Sequence, residues 1–137
     1  GQATDNDATP LYIACQKGHL DIVRLLLETG ASVNQARNNG VTPLLAACHN
    51  GLPEIVRLLL EASAAINQAD SSGFTPLYVA CQEGHHSCAG LLLEAGSAVN
   101  QASDNGFTPL FTACRNCHLE VAKLLSSYGA SRAATPF

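Results

Sequence analysis

With 137 residues, 47% of them hydrophobic and 13% charged, the chain can bury a sizeable core, and its length would ordinarily make one domain. Its net charge of -4 and seven scattered Lys and Arg residues lack the clustered positive charge that nucleic acid or an anionic membrane surface needs, so neither is an expected partner. The longest apolar stretches, such as 25–27 and 91–93, fall far short of a membrane span, and no segment reads as a signal or transit peptide.

The triplet Thr-Pro-Leu begins at Thr9, Thr42, Thr75 and Thr108, each copy 33 residues after the last. A fixed period of that length marks a stacked array, in which each unit needs its neighbours to cover its apolar face. The expected units run approximately over 4–36, 37–69, 70–102 and 103–137, together one domain spanning 1–137.

In the first unit Thr9 is placed to cap a helix whose first position is Pro10, where a missing N–H costs nothing. Leu11 and Ala14 begin its apolar face, and Gly18 can close it in the left-handed conformation. A second helix follows over 20–28, with Leu25 and Leu26 expected in the core between units, until Gly30 stops it. An extended segment, 31–36, leads to a tight turn at Gly40.

The second unit repeats this plan with Thr42, Pro43, Leu44, Ala47, Gly51, Leu58 and Leu59, but Ser63 stands where a helix-ending glycine is expected, which implies mild backbone strain or an altered turn. The third carries Gly73, Thr75, Leu77, Ala80, Gly84, Leu91, Leu92 and Gly96. Its second helix contains His86, Cys88, Ala89 and Gly90, and the glycine costs about 1 kcal/mol relative to alanine. This unit is expected to be the weakest.

In the fourth unit Gly106, Thr108, Leu110, Ala113, Leu124, Leu125 and Gly129 keep the pattern, while Cys117 takes the place of the first helix's closing glycine. Ser126, Ser127, Arg132 and Ala133 replace the Leu, Glu, Val and Asn of other units, as a polar capping repeat would require. At the opposite end Gln2-Ala3 shares the register of Gln35-Ala36, Gln68-Ala69 and Gln101-Ala102. The expectation is therefore an array that finishes near residue 137 and begins on the tail of an earlier unit.

On these residues the chain resembles the ankyrin repeat family, whose unit reads approximately G-x-T-P-L-H-x-A-A-x-x-G-H-x-x-x-V-x-x-L-L-x-x-G-A-x-V-N. The resemblance covers essentially the whole sequence. It implies an all-α solenoid of stacked helix-turn-helix units joined by β-turn or hairpin loops. The family's histidine after Thr-Pro-Leu is here Tyr12, Leu45, Tyr78 and Phe111, so its bond to the Thr hydroxyl cannot form, and the second alanine of the family's pair is always cysteine.

That cysteine recurs as Cys15, Cys48, Cys81 and Cys114, one position seen four times. Stacked helices stand about 10 Å apart, whereas a disulfide needs Cα atoms within about 7 Å. The expectation is buried apolar thiols in a reducing compartment. Cys114-Arg115-Asn116-Cys117-His118 matches the C-x-x-C-H pattern of haem attachment, but register explains all of it except Cys117, which is expected to be accessible and the most reactive thiol. Cys81, His85, His86 and Cys88 are a cluster that register assigns to different faces rather than to zinc. With no nucleophile elbow, phosphate loop or carboxylate pair, the chain reads as a non-enzyme without cofactor or metal.

The resemblance implies a groove that binds a partner protein or peptide. By register the turn tips are Asp5, Asn6, Asn38, Asn39, Ser71, Ser72, Asp104 and Asn105, with Val41, Phe74 and Phe107 beside them. The groove-facing pairs on the first helices are Gln16 and Lys17, His49 and Asn50, Gln82 and Glu83, and Arg115 and Asn116. Phe74 and Phe107, with Tyr78 and Phe111 nearby, suggest an apolar centre in the third and fourth units, or rings that pack under the neighbouring turn. The competing roles are a structural spacer in a larger protein and, from similarity to SOCS-box ankyrin proteins, the substrate receptor of a ubiquitin ligase. Asn34, Asn67 and Asn100, each eight residues after a leucine, also resemble the asparagines hydroxylated in many ankyrin repeats, although asparagine there commonly serves the loop. The expected setting is a monomer inside the cell, in cytoplasm or nucleus.

Overall fold

The computed structural model describes residues 8–130. Eight helices follow one another there: α1 (Pro10–Lys17), α2 (Leu20–Glu28), α3 (Pro43–His49), α4 (Pro53–Glu61), α5 (Pro76–Glu83), α6 (His86–Glu94), α7 (Pro109–Arg115) and α8 (Leu119–Ser127). The described residues contain no strand. None of their helices is long and apolar enough to cross a membrane. Asp5, Asn6 and the terminal residues Gln2, Ala3, Arg132 and Ala133 lie outside the described residues.

Each odd-numbered helix starts as its Thr-Pro dictates. The Oγ1 atoms of Thr9, Thr42, Thr75 and Thr108 accept the N–H of the residue three positions on, at 3.1, 3.2, 3.1 and 3.1 Å. Such a cap is worth about 1 kcal/mol. The donors are Tyr12, Leu45, Tyr78 and Phe111, so the position that lacks the family's histidine still serves the cap through its backbone.

Two layers result. The odd helices stack α1 on α3 on α5 on α7, the even helices stack α2 on α4 on α6 on α8, and the core lies between the layers and between successive units. Leu11, Leu44, Leu77 and Leu110 are buried there beside Ala14, Ala47, Ala80 and Ala113, whose small side chains let the inner helices approach. The paired leucines divide: Leu59, Leu92 and Leu125 are fully buried and Leu26 partly, while Leu58, Leu91 and Leu124 are only half-buried. Leu25 is 57% exposed, so it does not join the inter-unit core. Its row sits on the rim of the unit contact, and the first unit has no helix stacked on its near side among the described residues.

The cysteine position faces the next unit along the stack. Cys15, Cys48 and Cys81 are therefore fully buried between units, whereas Cys114 is exposed, because no described helix stacks on the far side of the fourth unit. The expectation of four buried thiols fails at that one.

Helix closure combines conformation with a close approach. Gly51 and Gly84 have φ of 66° and 75°, and a Cβ at either would lie within 2.7 Å of the imidazole of His85 or His118 in the following unit. Those rings are held in place by their Nε2 atoms, which lie 3.0 Å from the carbonyl oxygens of His49 and Gln82. Ser63 and Cys117 adopt φ of 68° and 62° without being glycine, at a cost of about 1–2 kcal/mol each. In the third unit Cys88, Ala89, Leu92 and Leu93 are buried, and a Cβ on Gly90 would meet only Leu124 Cδ2, at 3.8 Å.

Candidate functional site: a groove along the inner helices

The loops before α3, α5 and α7 are tight hairpins. Arg37, Asp70 and Ser103 donate their N–H groups to the carbonyls of Val41, Phe74 and Phe107 at 3.0, 3.1 and 2.9 Å. Successive tips are joined through backbone bonds from Ser71 N–H to Asn39 O and from Asp104 N–H to Ser72 O, both 3.0 Å. Side chains brace two of them: Asn39 Oδ1 accepts from Val41 N–H at 3.1 Å, and Asp70 Oδ1 accepts from the N–H groups of Ser72 and Phe74 at 2.8 and 3.0 Å. The tip residues Asn38, Asn39, Ser71, Ser72, Asp104 and Asn105 are exposed.

In the third and fourth units the residue before Thr folds back onto the helix it precedes. Phe74 stacks on Tyr78 with centroids 4.8 Å apart, and Phe107 stacks on Phe111 at 4.7 Å. Arg115 places its guanidinium 5.3 Å from the Phe107 centroid and 5.9 Å from that of Phe111, and Arg37 lies 5.2 Å from Tyr12, distances suited to cation–π attraction. Phe74 and Phe107 stay half-buried, with one face of each ring spent on its own helix.

Between the Tyr12 ring and the Phe74–Tyr78 stack, the second unit presents the smaller Val41, Leu45 and Ala46. A hollow of about 420 Å³ opens there, lined by these residues with Tyr12, Phe74 and Val79 and edged by Gln16, His49, Asn50, Asp70 and Gln82. Six of the expected groove residues, Gln16, Val41, His49, Asn50, Phe74 and Gln82, meet in this one hollow. Most of its lining comes from the second and third units. Phe107, Arg115 and Asn116 form a separate aromatic and cationic patch on the fourth unit.

Tyr12, Leu45, Ala46, Asp70 and Val79 also line the hollow, and sequence reasoning did not assign them to it. Register could have found Tyr12 and Leu45, since they occupy the family's histidine position one turn inside the groove helix. The polar pairs are less free than their exposure suggests. Asn50 Nδ2 donates to Gln16 O at 2.9 Å and Asn116 Nδ2 to Gln82 O at 3.2 Å, each fastening its unit to the previous one. His49 Nδ1 lies 3.2 Å from Asn50 Oδ1, and its Nε2 lies 3.8 Å from Glu83 Oε2 across the unit boundary. Lys17 and Glu83 remain exposed at the helix ends.

The remaining candidates are placed by packing. Asn34 Oδ1 accepts from Ala65 N–H at 2.8 Å and Asn67 Oδ1 from Ala98 N–H at 3.0 Å, so each ties its loop to the next unit; Asn100 is exposed. Cys81 and Cys88 point into the core while His86 is exposed and His85 reaches to His49 O, which separates the four residues of that cluster. His118 of the C-x-x-C-H segment is engaged with Gln82 O.

A family model described as ankyrin repeats (3 copies) matches residues 1–70 and, in a second placement, residues 63–134. No curated protein matches the chain at a significant level.

Proposed function

The chain belongs to the ankyrin repeat family, and from that premise we propose that it binds a peptide or a protruding loop of a partner protein in the groove along its inner helices. Ankyrin repeats generally act as protein-interaction modules. The observation that supports the finer reading is the hollow at the second unit, about 420 Å³ with an apolar floor and a polar edge. This is the form of a pocket that takes one anchoring side chain while its rim hydrogen-bonds the adjoining backbone. Hairpins braced by Asn39 and Asp70 hold the pocket in shape, which spares the partner the ordering cost of a mobile loop.

The role of the groove in this reading is recognition. Partner captured with the chain from its native source, then measured by calorimetry, provides the test. Phe74→Ala should weaken binding by about 2 kcal/mol, near thirtyfold, as for an anchor at a pocket wall. Arg57→Ala on exposed α4 serves as the control and should leave affinity unchanged. Equal affinity of Phe74→Ala and the parent chain, with the helical fold intact, refutes the groove and favours a spacer.

A further inference from the structure

Four of the six cysteines are sequestered. Cys15, Cys48, Cys81 and Cys88 are buried, and burial pushes the thiols of Cys15 and Cys81 up to about 12 and that of Cys88 to about 11. Cys48 is driven well above its ordinary value by burial first and by its neighbours Cys88 and Cys81 second. Cys114 and Cys117 are placed differently. Both are exposed, and both line one shallow depression of about 290 Å³ at the end of α7, together with His118, Leu119 and Ala122.

The backbone brings the pair together. Cys117 donates its N–H to the Cys114 carbonyl at 3.1 Å, closing a turn at the helix end. A turn of this kind keeps residues three apart within about 7 Å between Cα atoms, the span that a disulfide can bridge. Cys117 is held at φ of 62°, where Gly18, Gly51 and Gly84 stand in the other units. At Gly51 and Gly84 the imidazole of the following unit fills the space a side chain would need, while at Cys117 the thiol meets solvent. Cys117 thus carries a side chain at such a turn with room for it, three residues from a second exposed thiol.

We propose that Cys114 and Cys117 form a reversible intramolecular disulfide, set by exchange with a low-molecular-weight disulfide such as oxidised glutathione. One cysteine thiolate attacks a sulfur of the small disulfide, forming a mixed disulfide and expelling one thiolate. The second cysteine thiolate then attacks the protein sulfur of that mixed bond and expels the other. Two cysteine thiols lose two protons and two electrons, and one small disulfide becomes two thiols, which take up the protons. The ring so formed encloses Arg115 and Asn116.

The experiment equilibrates the whole chain with glutathione mixtures of increasing oxidation, alkylates the remaining thiols under native conditions, and maps the products by mass spectrometry after trypsin. Cleavage after Arg115 falls between the cysteines, so the bond appears as two peptides joined, from a monomer lighter by two hydrogens. The expected result is that joined pair, lost on added reductant and in Cys114→Ala and Cys117→Ala, each variant instead carrying one glutathione on its remaining exposed cysteine. Any of three results overturns the proposal: glutathione on both cysteines, a bond between two chains, or two thiols still alkylated at the most oxidising mixture.

Discussion

Replacing Gly84 by alanine isolates how one unit locks onto the next. Gly84 has φ of 75°, where an L residue pays about 1–2 kcal/mol, and alanine returns about 0.4–1 kcal/mol by restricting the unfolded chain. The backbone part of the loss is therefore about 0.5–1 kcal/mol. The new Cβ would also stand 2.6 Å from His118 Nδ1 and 2.7 Å from Cε1, so the ring must leave. Its Nε2 then gives up the 3.0 Å contact with Gln82 O, worth about 1 kcal/mol, and repacking strain adds about 1–3 kcal/mol. The total for Gly84→Ala comes to about 2.5–5 kcal/mol.

Gly18→Ala supplies the internal comparison. Its φ of 80° is equally left-handed, but the nearest atom to a Cβ is Leu52 Cδ2 at 3.6 Å, an ordinary contact. Only the backbone part applies, about 0.5–1 kcal/mol. In urea denaturation and thermal melts followed by circular dichroism, Gly84→Ala should lose about 2–4 kcal/mol more than Gly18→Ala, a difference of roughly 6–16 °C for a chain of this size. The double variant Gly84→Ala/His118→Ala should cost clearly less than the sum of its single changes. Equal losses at Gly18 and Gly84, or strict additivity in the double variant, would refute the clash argument.

Three further outcomes rest on independent features. Gly90→Ala should stabilise the third unit by about 0.5–1 kcal/mol, since the helix gains a better former and the Cβ meets only Leu124 at 3.8 Å; an unchanged or lower urea midpoint would contradict it. Thr112→Val should gain about 1 kcal/mol, because Thr112 Oγ1 is buried with no hydrogen-bond partner among the described residues, at a position where other units carry Ile13, Ala46 and Val79. A loss on equilibrium unfolding would mean that the hydroxyl is satisfied. Stability should also fall in alkali. The Cys15 and Cys81 thiols are raised by burial from 9.0 to about 12, so their contribution is complete below pH 9.0 and is lost as pH climbs towards 12. Each removes roughly 1.4 kcal/mol per pH unit in that window, since the unfolded chain sheds a proton that the folded one keeps. Urea midpoints taken just below pH 9 and one unit above should separate, less so in Cys81→Ala, and a flat profile would disprove the linkage.

What the chain determines by itself is whatever needs only neighbours in sequence. Thr9 and Pro10 specify a capped helix start wherever they stand, because the cap bond spans three residues; the left-handed closures at Gly18 and Gly84 and the strain at Ser63 follow from local backbone sterics in the same way. Repetition of these signals every 33 residues also settles the stacked architecture, since one unit cannot cover its own apolar face. Tertiary structure decided the rest. Cys15 and Cys114 are the same residue in the same local sequence, yet one is buried and the other exposed, because burial depends on whether another unit stacks on that side. Asn50 and Asn116 look like free groove residues until the previous helix presents its carbonyl to them. The hollow beside Leu45 belongs to no residue at all, being the space left where small side chains stand between Tyr12 and the Phe74–Tyr78 stack. Such a cavity is a difference in volume between units, and it exists only once they are stacked.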